Sequence, residues 1–178
     1  KSKYLLSLVL RRDGYSKLPK DNRWGTFPGI SAGWVLSREN FMESCSNVLS
    51  YAKIRASYGA NGNVSGVLDA NGNVVTGLDY YTVQGSYGIM KDKDGKIVPN
   101  YNGKVPLMIN DLPNPTMRWE KSYTFETGFD IGFLNNKYIL NFTYYNRRTQ
   151  DKFAEITLPS HSGVSSFLSN NGEVQNQG

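Results

Sequence analysis

Residues 117–152 read MRWEKSYTFETGFDIGFLNNKYILNFTYYNRRTQDK, and the spacing of their apolar side chains decides the fold class. Met117, Trp119, Tyr123, Phe125, Phe129, Ile131 and Phe133 fall on one face of an extended chain. Arg118, Glu120, Ser122, Thr124, Glu126, Gly128, Asp130 and Gly132 fall on the other. A period of two held over such a length marks a strand and not a helix. After Leu134-Asn135-Asn136-Lys137, one face resumes with Tyr138, Leu140, Phe142 and Tyr144, and the opposite face with Asn141, Thr143, Tyr145, Arg147 and Thr149. Asn tolerates the positive φ angles of a type I′ turn, so Asn135-Asn136 predicts a two-residue hairpin turn. That turn sets a register in which Phe133 faces Tyr138, Ile131 faces Leu140, Phe129 faces Phe142 and Thr127 faces Tyr144.

Strands of soluble domains usually stop near about six residues, while each of these has the pattern to run to about fifteen. The ten steps from Tyr123 to Phe133 make roughly 33 Å at about 3.3 Å per residue. A tilt near ~40° reduces this to about 25 Å, the height of the apolar band of an outer-membrane barrel. Aromatic residues stand at both ends of the band, Phe133 and Tyr138 near the turn, and Trp119, Tyr123 and Tyr144 at the far end, where interfacial girdles form. A hairpin from a soluble sandwich alternates in the same way and is the competing reading.

The rest of the chain agrees with an all-β reading. Its 178 residues include twelve Tyr, eight Phe, eighteen Gly and seven Pro, a composition of strands punctuated by turns. No apolar run is long enough for a spanning helix, so a membrane form must cross as strands. The net charge of +5 is spread over several loops without an aromatic-basic motif, which argues against nucleic acid as a partner. Cys45 is the one cysteine, so no internal disulfide is expected. Further alternation predicts strands near residues 3–12, 26–36 and 51–60, beside the two at 117–133 and 138–152, with a sixth beginning near Asn171. In the second of these, small residues at Gly29, Ser31 and Gly33 leave room on the polar face. Residues 37–50 read as a connection holding a helical turn. Residues 61–116 are too long for an ordinary connection, and two short hairpins are expected there. One pairs Val67-Leu68 with Val74-Val75 around Asp69-Ala70-Asn71-Gly72, and the other pairs Ile89-Met90 with Ile97-Val98 around Asp92-Lys93-Asp94-Gly95.

Chemical motifs are weak. Gly29-Ile30-Ser31-Ala32-Gly33 matches the nucleophile elbow of serine hydrolases, but an elbow needs a sharp strand-to-helix turn at the serine, and Ser31 lies within an alternating run. His161, in a Ser-rich loop, is the single candidate base. Asp69, Asn71 and Asn73 suggest a calcium loop, yet Val74 stands where glycine is needed and no Glu closes the site. We therefore expect no catalytic residue, cofactor or metal, and name no substrate-binding residue. Glu120, Glu126 and Asp130 share the polar face, with Glu126 placed beside Tyr145 and near Arg147, as a polar lining with local ion pairs.

Several segments carry a resemblance: Arg11-Arg12-Asp13-Gly14, Asn22-Arg23-Trp24-Gly25-Thr26-Phe27-Pro28, Ser31-Ala32-Gly33-Trp34, Lys53-Ile54-Arg55-Ala56-Ser57-Tyr58-Gly59 with Asn61-Gly62-Asn63, Leu112-Pro113-Asn114-Pro115 with Arg118-Trp119-Glu120-Lys121, and Phe133-Leu134-Asn135-Asn136 before Tyr144-Tyr145-Asn146. In order and spacing the chain resembles the SusC/RagA family of TonB-dependent outer-membrane transporters. Leu158-Pro159-Ser160-His161-Ser162-Gly163 also looks like a family loop, with His161 in place of a small or hydroxyl residue. The resemblance implies a 22-stranded barrel with a plug domain, a SusD-like surface lipoprotein as partner, TonB as energy source, and glycans or peptides as cargo. Residues 1–178 resemble only a barrel segment, without the plug or the remaining strands, and an incomplete set of strands is expected not to form a pore alone. The soluble alternative is a β-rich carbohydrate-binding module in which Tyr80, Tyr81, Tyr87 and Tyr101 stack on sugar rings.

Overall fold

A computed structural model describes residues 2–45, 48–68, 74–78, 80–98 and 101–178. Its strands are β1 (Tyr4–Gly14), β2 (Trp24–Val35), β3 (Leu49–Asn63), β4 (Val67–Leu68), β5 (Val74–Thr76), β6 (Ser86–Ile89), β7 (Leu107–Asp111), β8 (Glu120–Phe133), β9 (Tyr138–Thr157) and β10 (Ser166–Gln177). One short helix, α1 (Tyr80–Gln84), lies between β5 and β6. Six strands form one antiparallel meander in the order β1-β2-β3-β8-β9-β10, and two small two-stranded sheets, β4-β5 and β6-β7, hang from the long connection between β3 and β8.

The central hairpin has the register set by its turn. Phe133 pairs with Tyr138, Ile131 with Leu140, Phe129 with Phe142 and Thr127 with Tyr144. Asn135 and Asn136 have φ of 57° and 60°, as a type I′ turn requires. Leu134 also lies at a positive φ of 48°. Its N–H is drawn to the Val48 carbonyl of the neighbouring connection at 2.9 Å, a tertiary hydrogen bond that sets against a conformation costing an L-residue about 1–2 kcal/mol.

Because paired residues of neighbouring strands share a face, the ladders propagate this alternation across the sheet. Leu8, Ile30, Tyr58 and Phe125 form one outward row, and Tyr4, Trp34, Ile54, Phe129 and Phe142 another. Most of these side chains stand open: Leu8 is 70% exposed and Phe142 53%. At one end of the band Tyr4 and Trp34 stack with centroids 6.3 Å apart, and at the other Arg12 lies over Trp24.

Short links gather at the first end. The 134–137 turn is there, with the connection from β2 to β3, which winds into two 3-10 runs, Leu36–Arg38 and Asn40–Cys45. Glu39 between them accepts hydrogen bonds from the Trp34 indole N–H (3.1 Å), the Lys3 ammonium (3.1 Å) and the Tyr4 hydroxyl (2.9 Å). Those donors, the indole foremost, hold its carboxyl below the ordinary value of 4.5.

The opposite end carries the long connections and a packed core. Leu18, Phe27, Leu78, Met117, Trp119, Phe153 and Leu168 are all buried there, with Met117 at 0%. Phe27 and Trp119 meet edge to face at 5.4 Å, and the Trp119 indole donates to the Arg23 carbonyl at 3.1 Å. This corrects the expectation for residues 117–119. The strand begins at Glu120, and Trp119 is a core residue instead of a girdle residue; Trp24, just before the expected 26–36 strand, holds the far-end position on β2. The cause is local turn chemistry beyond the reach of periodicity. Asn114 accepts from the Thr116 N–H and hydroxyl, and Asn170 brackets Arg118 by accepting from its N–H (3.0 Å) and donating to its carbonyl (2.9 Å).

Two further expectations shift. β9 runs on to Thr157 and β10 begins at Ser166, so much of the segment read as a Ser-rich loop is ladder, with a break at Asp151, whose φ is 56°. The second small hairpin exists only as a Lys91–Ile97 bridge around a turn in which Asp92 accepts from the Asp94 and Lys96 N–H groups. Its expected arm Ile89 pairs instead with Leu107. The first small hairpin forms as β4 and β5, while its turn, Asp69-Ala70-Asn71-Gly72, lies outside the described residues, as does the candidate calcium triad Asp69, Asn71 and Asn73.

Candidate functional site

The inward face of the meander is polar and hollow. Ser7, Ser31, Ser57, Glu126 and Tyr145 form one continuous cross-strand row over five strands. The adjacent row, Val9, Gly29, Gly59, Thr124 and Arg147, contains two glycines side by side. With no side chain at Gly29 or Gly59, the wall recedes and leaves a hollow of about 280 Å³ lined by Ser31, Ser57, Thr124, Glu126 and Arg147. A second hollow of about 490 Å³ shares Ser7, Ser31, Ser57 and Glu126 and adds Lys53, Arg55 and Gly33. The small residues read as leaving room on the inside do so.

Charge on this wall is partly committed. The Arg55 guanidinium pairs with Asp130 at 3.5 Å and donates to the Thr143 hydroxyl at 2.5 Å. It crosses Gly128, where an added Cβ would lie 3.4 Å from its Nη2. Arg147 donates to the Thr124 hydroxyl at 3.3 Å. Glu120 is buried, and its two oxygens accept from the Phe153 N–H and the Asn63 side-chain amide, both at 2.7 Å. Glu120 therefore ties β8 to β9 and β3. Of the three carboxylates expected to line this face, Glu120 fastens the loop end, Asp130 holds Arg55, and Glu126 stands in the hollow among hydroxyls. Hydroxyls, a carboxylate and flanking cations suit a polar cargo or a polar protein surface, through hydrogen bonds exchanged at each contact.

Ser31 sits in the middle of β2, extended between Ser7 and Ser57, without the sharp turn of a nucleophile elbow. His161 is exposed in the turn Ser160–Ser162. No group of three metal-ligating side chains occurs among the described residues. Tyr87, one of the candidate sugar-stacking tyrosines, is 75% exposed on β6, while the side chains of Tyr80, Tyr81 and Tyr101 lie outside what the structure describes. The serine row escaped sequence reading although every member was on the polar face, because aligning Ser7, Ser31 and Ser57 needs the register between strands separated by irregular connections.

The family model described as TonB dependent receptor-like, beta-barrel, matches residues 1–178. A TonB-dependent receptor of Formosa agariphila is 34% identical over 99% of this chain, and the TonB-dependent receptor SusC of Bacteroides thetaiotaomicron is 32% identical over 99%. The chain spans 16% of the length of either relative. Among solved structures, the RagAB peptide importer in its open-open state superposes with a TM-score of 0.75 at 24% identity, covering 98% of this chain and 17% of that one.

Proposed function

The chain belongs to the TonB-dependent receptor β-barrel family, and on that premise we propose that it is a stretch of the wall of an outer-membrane nutrient transporter. The observation that carries this reading is the two-faced sheet. Its outward rows expose Leu, Ile, Phe and Tyr, while its inward rows are Ser, Gly, Thr, Tyr and charged residues from β2 to β9, with Leu5 and Val9 on β1 at the sheet edge. Bilayer hydrocarbon is the solvent that suits the first face, and a polar lumen suits the second. The cargo class is glycans, oligosaccharides or peptides, taken up with a SusD-like lipoprotein at the cell surface and TonB acting on a plug encoded outside residues 1–178. In that setting the short links, 134–137 and 36–48, face the periplasm, and the long ones face outward, as barrels of this kind arrange them.

The soluble carbohydrate-binding alternative needs a second layer over the apolar face. The other two sheets are two-stranded and hang from the long β3–β8 connection, which leaves that role unfilled among the described residues.

Labelling of intact cells tests the assignment. In the full-length parent with Cys45→Ser, a cysteine at Gly95 is expected to react with an impermeant maleimide, and one at Asn136 only after the outer membrane is opened. Reaction at Asn136 alone in intact cells would invert the topology; equal reaction at both in a soluble fraction would remove the membrane reading.

A further inference from the structure

Glu126 stands on the inward wall between two guanidinium groups, and neither is spent on it. The ladders place Ser57 of β3 on one side of Glu126 and Tyr145 of β9 on the other, so Arg55 and Arg147, one inward row away in opposite directions, are its diagonal neighbours. Diagonal positions lie about 7–8 Å apart, within reach of an arginine side chain. Arg55 turns the other way, across Gly128. Its Nε lies 3.5 Å from the Asp130 carboxylate, and its Nη2 donates to the Thr143 hydroxyl. Arg147 donates from Nε to the Thr124 hydroxyl at 3.3 Å, and the Tyr145 hydroxyl donates to the Asn176 side chain at 3.0 Å. The Glu126 side chain is left without a hydrogen bond or an ion pair among the described residues.

The space beside it is kept clear by residues that the wall itself does not need. A Cβ added at Gly29 would meet only the Val9 Cβ at 3.8 Å and the Gly59 Cα at 4.0 Å, and one at Gly59 only the Gly29 Cα at 3.8 Å and the Pro28 carbonyl oxygen at 3.9 Å, all ordinary contacts. Glycine weakens a strand interior and marks a place where another group approaches closely. The hollow of about 280 Å³ that the pair opens is lined by Glu126 and Arg147 together. A carboxylate offers acceptors only, and one carboxylate among hydroxyls falls short of the ligand set of a divalent cation. A cationic nitrogen donor makes the strong, charge-assisted bond there. We infer that Glu126 is a selectivity residue of the wall that receives a protonated amino group of the cargo, and that Asp130 is a positioning residue that holds Arg55 off it. Arg147, facing the same hollow, suits an oxygen acceptor beside that amino group. The inference rests on the transporter reading above and narrows its cargo to molecules that carry a free amine.

The test measures binding to the full-length parent transporter with two pairs of probes: tetra-alanine with a free or an acetylated N-terminus, and a glucosamine tetramer against its N-acetylated form. In one pair the free amine is expected to bind about ten-fold more tightly than its acetylated counterpart, and the pair that shows it tells a peptide from an amino sugar. Glu126→Gln is expected to bring that ratio to near unity. Asp130→Asn is expected to do the same by releasing Arg55 to Glu126. Adding Arg55→Gln to Asp130→Asn is expected to restore the preference, which a loss of structure would not allow. Heat-modifiable migration checks that each variant folds; if one does not, the preference of the unaltered protein within each pair decides. No preference in either pair, or a preference that survives Glu126→Gln, would overturn the amine site and leave the membrane reading, which the cysteine labelling tests, standing. A preference lost in Glu126→Gln but kept in Asp130→Asn would overturn the positioning role of Asp130.

Discussion

The outward band and the loop-end core are built from the same residue types and show opposite exposures. Leu8 and Leu10 stand open to their surroundings, whereas Met117, Phe153 and Leu18 are 0–2% exposed. In the band the apolar side chains are separated by ladder geometry and pack mainly against their cross-strand neighbours. At the loop end they converge from β2, β9, β10 and three connections into one cluster, pinned by side-chain amides of Asn114 and Asn170 and by the Glu120 carboxylate. The two regions therefore suit two different solvents. On the proposed membrane reading, the band hands its apolar surface to lipid, and the loop end hides its own from water because no lipid is there to take it.

The largest effect expected from this contrast is at Trp119. Trp119→Ala removes a buried ring and the hydrogen bond to the Arg23 carbonyl, at a cost of about 3–5 kcal/mol. Hydrogen exchange in the full-length parent should show residues 15–23 losing protection while β8 and β9 amides keep theirs. Leu8→Ala, at an already exposed position on the band, should alter protection by far less. Comparable losses for the two would erase the distinction.

A charge sharpens the contrast from the other side. Phe129→Arg, near mid-band on the outward face, is expected to cost about 2–4 kcal/mol if that face meets hydrocarbon. The measurement is the urea midpoint for refolding into vesicles. A negligible shift would mean that water reaches Phe129.

The smallest effect concerns the short-link end, where Glu39 ties the Tyr4–Trp34 pair. A carboxyl held below its ordinary value contributes stability that is fully present above 4.5 and is lost as pH falls through the lowered native value. Trp34 fluorescence should therefore be steady from pH 7 to 5 and change only below that range, and Glu39→Gln should abolish the transition. A transition centred above pH 5 would contradict the three-donor arrangement.

What could be read in advance follows one physical line. Strand period is local: successive Cβ atoms point to opposite faces, so Tyr123 to Phe133 and Tyr138 to Tyr144 declared their faces without help, and Asn135-Asn136 converted two faces into a register. The room beside Gly29, Ser31 and Gly33 was legible for the same reason, as was the polar lining at Glu126 and Asp130. The loop end was not. Its residues are far apart in the chain and follow no period, so nothing local marks Leu18, Phe27, Trp119 and Leu168 as neighbours. The hydrogen bonds that stop the β8 strand at Glu120 come from Asn170, fifty residues on. Local geometry decided the sheet and its two faces, because each residue's side is set by the one before it. Tertiary structure alone decided the core at the loop end, the serine row and the Glu39 tie, because each exists only where separate segments meet.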